Sequence, residues 1–155
     1  MSTPELHFTV EVAAPAAQVW AVLTNFDAYP EWHPHITSAC GELVPGGQIT
    51  ARAAGAGPMS VDAKVVEVEA PHLLVFEGGD PDHVLVRHTW ELSALPDGST
   101  RVDDYERFLG PEAEAMFAQH SETMRQHLEP IMGALKKAAE SRADSKYREE
   151  PRGTR

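Results

Sequence analysis

The feature of this sequence that most limits its fold is a change in hydrophobic period along the chain. Residues 6–12 alternate apolar and polar side chains, a two-residue period that is typical of a half-buried β-strand. Further on, clusters rich in glycine and proline, such as Gly55-Ala-Gly57-Pro58, separate more strand candidates. Strands joined by such short turns pair antiparallel, because a parallel crossover needs a dozen or more residues. The predicted strands span residues 36–44, 47–54, 59–69, 72–78, 83–94 and 100–109.

Helical signals stand on both sides of these strands. Pro15 predicts the first turn of a helix that runs to Leu23, and Asp27 is the predicted N-cap of a second brief helix. After Gly110-Pro111 the period changes to alternating steps of three and four, which predicts a long C-terminal helix that Pro130 bends or interrupts near Gln126. Its apolar stripe comprises Phe117, Ser121, Met124, Leu128, Ile131, Leu135 and Ala138.

These elements predict an α+β fold in which a bent, seven-stranded antiparallel sheet wraps around the long C-terminal helix. Two short helices follow the first strand. Only one helix is long enough to cover the apolar face of such a sheet. A curved sheet around a single helix leaves space between the two layers, so we expect an internal cavity.

Length and charge limit the classes of function. The chain of 155 residues predicts one domain over 1–140, followed by a polar and frayed tail at 141–155. Residues 1–135 carry 6 Lys and Arg against 20 Asp and Glu, whereas residues 136–155 carry 7 against 4. An acidic body repels phosphate backbones, so we expect no nucleic-acid partner. No apolar stretch predicts membrane insertion, and we expect a cytoplasmic bacterial protein that is a monomer or homodimer.

Cysteine and histidine usage argues against metal and disulfide sites. The single Cys40 cannot form an internal disulfide and has no partner at zinc-site spacing, so it is predicted to be a small buried hydrophobe. His33 and His35 lie two residues apart at the expected mouth of the cavity. Two ligands do not make a metal site, so we expect neither a metal nor another cofactor.

The strongest chemical signal lies in the last predicted hairpin. Period-two alternation places His88 inward beside Trp90, and it places Asp104 and Glu106 inward on the following strand. A register in which paired residue numbers sum to 194 puts His88 opposite Glu106. These three residues are the predicted catalytic set for proton transfer, with Asp104 orienting substrate or water. The alternative is a structural cluster in which the buried histidine and carboxylates only hydrogen-bond to one another.

The predicted ligand-binding residues surround this set. We expect one aromatic group at the entrance and a mixed group along the cavity wall. The entrance group comprises Phe26, Tyr29 and Trp32, and the wall group comprises Leu74, Phe76, Trp90, Phe108, Met124 and Leu128.

Several segments resemble one known superfamily. The run from Val10 to Trp32, with Pro15-Ala-Ala-Gln-Val19-Trp20 and Phe26-Asp27-Ala-Tyr29-Pro30 within it, is similar to the opening of START-like helix-grip proteins of the SRPBCC superfamily, in particular the polyketide cyclase/dehydrase and lipid-transport group. Later segments fit as well, namely 71–78, 87–92, 97–102 and 106–108.

The resemblance implies a helix-grip fold and a hydrophobic small-molecule ligand, polyketide-like or terpenoid-like. With the inward acid and base groups, we expect a cofactor-free cyclase or dehydratase of secondary metabolism. A non-catalytic carrier or sensor is the first alternative, and it would have an almost wholly apolar cavity. A cochaperone-type interaction module is the second, and it would expose a large apolar patch.

Overall fold

The computed structural model describes residues 3–54 and 59–153, so the turn predicted at 55–58 lies outside the described residues. Eleven elements follow one another in the predicted order. They are β1 (Glu5–Val12), α1 (Ala16–Thr24), a 3₁₀ helix (Phe26–Ala28), α2 (Tyr29–Trp32), β2 (Ile36–Gly41), β3 (Gln48–Ala53), β4 (Met59–Glu69), β5 (Leu73–Gly79), β6 (Leu85–Ala94), β7 (Thr100–Leu109) and α3 (Ala113–Gly153).

The seven strands form one antiparallel sheet in the order β1-β7-β6-β5-β4-β3-β2. Strands β2 to β7 pair with their neighbours in the chain, as their short turns predict. The first strand instead pairs with the last, so α1 and α2 carry the chain from one edge of the sheet to the other. This arrangement confirms the α+β helix-grip architecture, with short helices after the first strand and a long C-terminal helix.

The core lies between one face of the sheet and the helices. Strand β1 contributes Leu6 and Phe8, whereas α1 contributes Val19 and Leu23. Helix α3 packs mainly on β1 and α1, and its fully buried residues among those described are Leu135 and Ala139. The predicted stripe on α3 therefore faces the core, because three- and four-residue steps return to one side of a helix.

A buried hydrogen bond ties the two ends of this core together. The Thr100 hydroxyl donates to the backbone carbonyl of Ala14 over 2.7 Å, and Thr100 has no exposed surface. The contact joins the start of β7 to the segment between β1 and α1. It satisfies a buried carbonyl that lies outside the strand ladder.

Several local predictions need correction. Asp27 lies within the 3₁₀ helix instead of capping α2, whose N-cap is Ala28. Cys40 is exposed, because it lies on the edge strand β2 and alternation puts its side chain on the face opposite to that of its partly buried neighbour Ala39. Helix α3 runs from Ala113 to Gly153 without a break at Pro130, so the proline does not interrupt it. The frayed tail at 141–155 stays a prediction. The domain boundary at 140 stays a prediction.

Candidate functional site

The register of the last hairpin depends on its turn. Residues 95–99 connect β6 to β7, with the Leu95 N–H donating to the Ser99 carbonyl over 2.9 Å. Gly98 adopts φ +89°, a left-handed conformation that costs glycine little. The first pair beyond the turn is Ala94 and Thr100, so paired residue numbers sum to 194, as predicted. His88 therefore lies directly opposite Glu106, and Trp90 opposite Asp104.

Three titratable side chains meet on the inner face of this hairpin. The Nε2 atom of His88 lies 2.7 Å from Oδ1 of Asp104 and 2.8 Å from Oε2 of Glu106. The two carboxylates are two residues apart on β7, which places them on one face of the strand. Neither oxygen lies in line with the ring N–H, so these are close ionic contacts and not well-directed hydrogen bonds.

The cluster is deeply buried. The side chain of Asp104 is 1% exposed, that of Glu106 is 7% exposed and that of His88 is 18% exposed. Across the ladder from β1, Phe8 lies opposite Asp104 and Leu6 lies opposite Glu106. Apolar neighbours on that side mean that the carboxylates have little access to water, which makes their charged forms costly.

Burial and charge together shift the pKa values of this cluster. Burial by itself lowers the pKa of His88, but the charges of Asp104 and Glu106 outweigh it and raise the pKa to about 10. Burial raises the pKa of Glu106 to about 7, although the neighbouring His88 cation opposes the change. One imidazolium balances only one carboxylate, so the second carboxyl retains its proton until near-neutral pH.

The spacing of the cluster also bears on metal binding. The three ligand-type atoms lie within 4.8 Å of one another. Two ligands held at roughly 2.1 Å from one metal ion lie about 3.0 to 3.4 Å apart, whereas the N···O separations here are 2.7 and 2.8 Å. The observed separations are shorter than those between two ligands of one metal ion. The absence of a bound metal stays a prediction.

The cluster borders a pocket of about 240 Å³ between the sheet and α3. Fourteen of the twenty lining residues are apolar, and the polar ones are mostly histidines. The lining comprises Phe26, Tyr29, Trp32, His33, His35, Ile36, Ala39, Ile49, Ala51, Ala53, Val61, Ala63, Leu74, Phe76, His88, Trp90, Glu106, His127, Leu128 and Ile131.

Most predicted site residues reach this pocket, but three do not. Asp104 lies behind His88, which covers its carboxylate from the pocket side. Phe108 packs against Phe117 of α3, with ring centroids 5.6 Å apart. Met124, in the first half of α3, packs on the hydrophobic core. The pocket reaches α3 only at residues 127, 128 and 131. The ligand-binding roles of the other residues stay predictions.

The pocket also contains residues that the sequence argument did not assign to it. Strands β2 to β4 supply small and branched apolar side chains, including Ala39, Ile49 and Ala63. The alternation of side chains along these strands is visible in the sequence. The face that each strand turns toward the helix depends on the curvature of the whole sheet. His127 of α3 is not assigned to the pocket by the sequence argument. It reaches the pocket because α2 and β2 pack beside it.

Aromatic stacking organises the segment that covers one end of the pocket. Tyr29 contacts Phe26 and Trp32 edge to face, with ring centroids 5.5 and 4.9 Å apart. Its hydroxyl donates to the Leu23 carbonyl over 2.5 Å, and burial raises the pKa of this phenol. The His35 ring stacks on that of His127 at 3.7 Å and its Nε2 donates to the His127 carbonyl. These contacts hold the 3₁₀ helix and α2 against α1 and α3.

Two other depressions help to define the site. One, of about 600 Å³, is an open groove between α1, α2 and α3. Its charged lining residues, Glu31 and Lys137, form no buried cluster. Another, of about 380 Å³, shares Phe76, His88 and Glu106 with the first pocket and extends it along the sheet. The buried acid and base groups therefore mark the sheet-side pocket as the candidate site.

No helix among the described residues combines the length and apolarity needed to cross a membrane.

Comparisons with known proteins bear on this geometry. The model of a family described as polyketide cyclase/dehydrase and lipid transport matches residues 3–140. A comparison with curated protein sequences found no match.

Among solved structures, the di-domain ARO/CYC protein BexL from the BE-7585A biosynthetic pathway is similar at 19% identity and a TM-score of 0.72, covering 91% of this chain. This chain spans 50% of BexL. Protein NE0264 from Nitrosomonas europaea is similar at 19% identity and a TM-score of 0.72, with 89% of this chain and 95% of that chain covered.

The Zhui aromatase/cyclase from Streptomyces sp. R1128 is similar at 18% identity and a TM-score of 0.69, with 92% and 94% covered. At these identities the structures share the fold, which by itself does not fix a reaction.

Proposed function

This chain belongs to the polyketide cyclase/dehydrase and lipid transport family, and from that membership we propose that it binds a hydrophobic, polyketide-like or terpenoid-like molecule in the sheet-side pocket and catalyses cyclisation or dehydration without a cofactor. The observation that carries the proposal is the buried His88–Asp104–Glu106 cluster, which borders a mostly apolar pocket through His88 and Glu106. An apolar ligand body fits the lining, and a polar ligand end fits the cluster.

The cluster suits proton transfer at neutral pH. Glu106, with its pKa raised to about 7, is available both as carboxylate and as carboxylic acid under those conditions. Asp104 balances the charge of His88 and keeps it protonated. Nε2 of His88 faces the two carboxylates, which leaves Nδ1 as the ring nitrogen available to a ligand, and His88 and Glu106 both border the pocket. One base and one acid are therefore available to a ligand.

In a dehydration, the Glu106 carboxylate takes the proton α to a ligand carbonyl. The C–H electron pair forms the new C=C bond, and the C–O bond to the β-hydroxyl breaks. His88 protonates the departing hydroxyl through Nδ1, so that water leaves. The site then holds neutral His88 and protonated Glu106. Nε2 keeps its proton throughout, so Glu106 cannot protonate the ring across their 2.8 Å contact. Water that enters after product release takes the proton from Glu106 and returns one to Nδ1 of His88, which restores the starting state.

A non-catalytic carrier is the second candidate, and the apolar majority of the lining favours it. A carrier has little use for buried carboxylates, since each costs several kcal/mol unless it is paired. The cochaperone-type alternative has less support. The large hydrophobic side chains that are exposed among the described residues are three valines, Val44, Val61 and Val66, and Val61 borders the pocket.

The test uses a simple β-hydroxy ketone, 4-hydroxy-4-phenylbutan-2-one, whose elimination product is a conjugated enone that ultraviolet absorbance detects. We expect Glu106→Gln to lower the elimination rate by about 10² to 10⁴, because glutamine keeps the size of the side chain but removes the base. His88→Ala should lower the rate as well. Fluorescence of the pocket tryptophans Trp32 and Trp90 reports ligand affinity in parallel.

The matched control is Glu77→Gln. This glutamate lies on the neighbouring strand β5 and pairs with Arg87 at 2.6 Å, away from the cluster. The control should turn over like the wild-type protein. Wild-type rates in both Glu106→Gln and His88→Ala, with weaker binding, would make the protein a carrier whose polar residues only contact ligand. Mass spectrometry of ligand that co-purifies with the native protein would identify the natural compound.

A further inference from the structure

His33 borders the same pocket as His88 and Glu106 of the predicted catalytic set, and its ring is held in one tautomer. The Nδ1 atom accepts the backbone N–H groups of His35 and Ile36, each over 3.1 Å. A nitrogen that accepts two N–H groups carries no proton, and a neutral imidazole carries its single proton on the other nitrogen. The proton of His33 is therefore on Nε2.

The orientation of this ring is also fixed. It stacks on Tyr29 with ring centroids 5.7 Å apart and 14° between the planes, and it contacts His35 edge to face at 5.9 Å. A flipped ring would leave the two backbone N–H groups without an acceptor. Burial, together with the nearby charges of His35, His127 and His88, lowers the pKa of His33 to about 4. The ring thus stays neutral through the physiological range.

The Nε2–H group of His33 has no hydrogen-bond partner among the described residues, although the residue lines the pocket. A donor that is locked by its own backbone contacts and left free in an apolar pocket is suited to a ligand acceptor. Such a site discriminates strongly, because an acceptor-free ligand leaves the donor unpaired.

We propose that His33 is a ligand-orienting residue that donates a hydrogen bond from Nε2 to a carbonyl or enolate oxygen of the bound molecule. This inference rests on the proposed function, since it requires a ligand in the same pocket. It restricts the ligands to those with an oxygen acceptor near His33 and reacting carbons near His88 and Glu106. A neutral donor stabilises developing negative charge on that oxygen without first losing a proton to it.

Two variants separate the roles of the two ring nitrogens. In His33→Asn the amide oxygen occupies the place of Nδ1 and still accepts the backbone N–H groups, but the Nε2 donor is lost. In His33→Gln the amide N–H reaches the place of Nε2, but the acceptor for His35 and Ile36 is lost. The probes are 1-tetralone, which has a carbonyl acceptor, and tetralin, which has the same rings without it.

We expect His33→Asn to bind 1-tetralone roughly 2- to 12-fold more weakly than wild type, the range of one neutral hydrogen bond, and to bind tetralin equally well. His33→Gln should recover part of the tetralone preference and unfold at a lower urea concentration. An ¹⁵N spectrum of the wild-type histidines should show His33 with the proton on Nε2.

Each other outcome counts against the inference. Equal loss of both probes in His33→Asn, or unchanged 1-tetralone affinity, would overturn the hydrogen bond while leaving the proposed ligand-binding function intact. A wild-type ¹⁵N spectrum that places the proton of His33 on Nδ1 would also overturn the proposed hydrogen bond. Failure of the wild-type protein to bind either probe would contradict both this inference and the ligand-binding function on which it rests.

Discussion

Strand β7 carries an aspartate–histidine pair on each of its two faces, and the two pairs differ in their electrostatic surroundings. Asp103 and Asp104 are neighbours in the chain, and each has an oxygen within 2.8 Å of a histidine Nε2. On the outer face, Asp103 accepts a hydrogen bond from His7, whose side chain is 38% exposed, and also pairs with Arg101 at 3.1 Å. On the inner face, Asp104 shares His88 with a second carboxylate and has no cation other than His88 among its described contacts.

The two faces differ in the number of cationic side chains that contact each carboxylate. Partial burial raises the pKa of Asp103, but hydrogen bonds from His7 and Thr9 and the charge of Arg101 outweigh it, so the pKa is lowered overall. On the inner face the carboxylates outnumber the cation, and the pKa values of His88 and Glu106 are both raised. On the outer face the charge of Asp103 is balanced by its partners. The buried cluster has one carboxyl group more than it has cations, so it retains a proton that it can exchange.

Removing the histidine on each face should give the largest contrast. His88→Leu keeps apolar bulk but leaves two buried carboxylates without a cation. We expect a loss of about 3 to 5 kcal/mol in the free energy of unfolding at pH 8, measured by urea titration. The matched variant is His7→Leu, in which Arg101 still pairs with Asp103. Equal losses in the two variants would show that the inner cluster is not a special electrostatic site.

The free energy of unfolding should depend on pH in opposite directions for the carboxyl groups on the two faces. The folded-state pKa of Glu106 is raised from 4.5 to about 7, so its contribution is complete below pH 4.5 and is lost as the pH rises through 7. The contribution of His88 is likewise complete below pH 6.5 and is lost as the pH rises through about 10. Asp103, with its lowered pKa, contributes above its unfolded-state pKa and loses that contribution in acid.

The measurement is the difference in unfolding free energy between wild type and Glu106→Gln from pH 5 to pH 8. Because glutamine does not titrate, the wild-type protein should lose stability relative to the variant across this window, on the order of a few kcal/mol. The same comparison for Asp103→Asn should be flat above pH 5. A difference that stays constant for Glu106→Gln would mean that its carboxyl titrates normally.

The smallest expected effect belongs to the outer pair. His7→Leu should cost under about 1 kcal/mol, as is usual for pairs with an exposed partner. Much of that cost should disappear in 1 M NaCl, where the screening length is about 3 Å. The cost of His88→Leu should change little with salt, because ions do not enter the buried cluster. A strong salt dependence of the inner variant would indicate that water reaches it.

Much of the site could be predicted because β-strand geometry is local. Side chains alternate with period two, so Val102 and Phe108 on one face were enough to place Asp104 and Glu106 on that face. The odd-numbered turn at 95–99 then determined which residue lies opposite His88. Likewise, the three- and four-residue steps on α3 indicated its buried side before any partner was known.

Other features depend on contacts between distant parts of the chain, which no local pattern encodes. The pairing of β1 with β7 puts Leu6 and Phe8 beside the carboxylates, and it is this apolar neighbourhood that raises the pKa of Glu106. His35 meets His127 across 92 residues only because α2 packs against α3. The sequence alone determined the order of elements and which residues of a strand or helix share a face, because backbone geometry sets both locally. Tertiary packing decided which residues line the pocket and which nitrogen of His33 is free, because both depend on how the sheet curves around the helices.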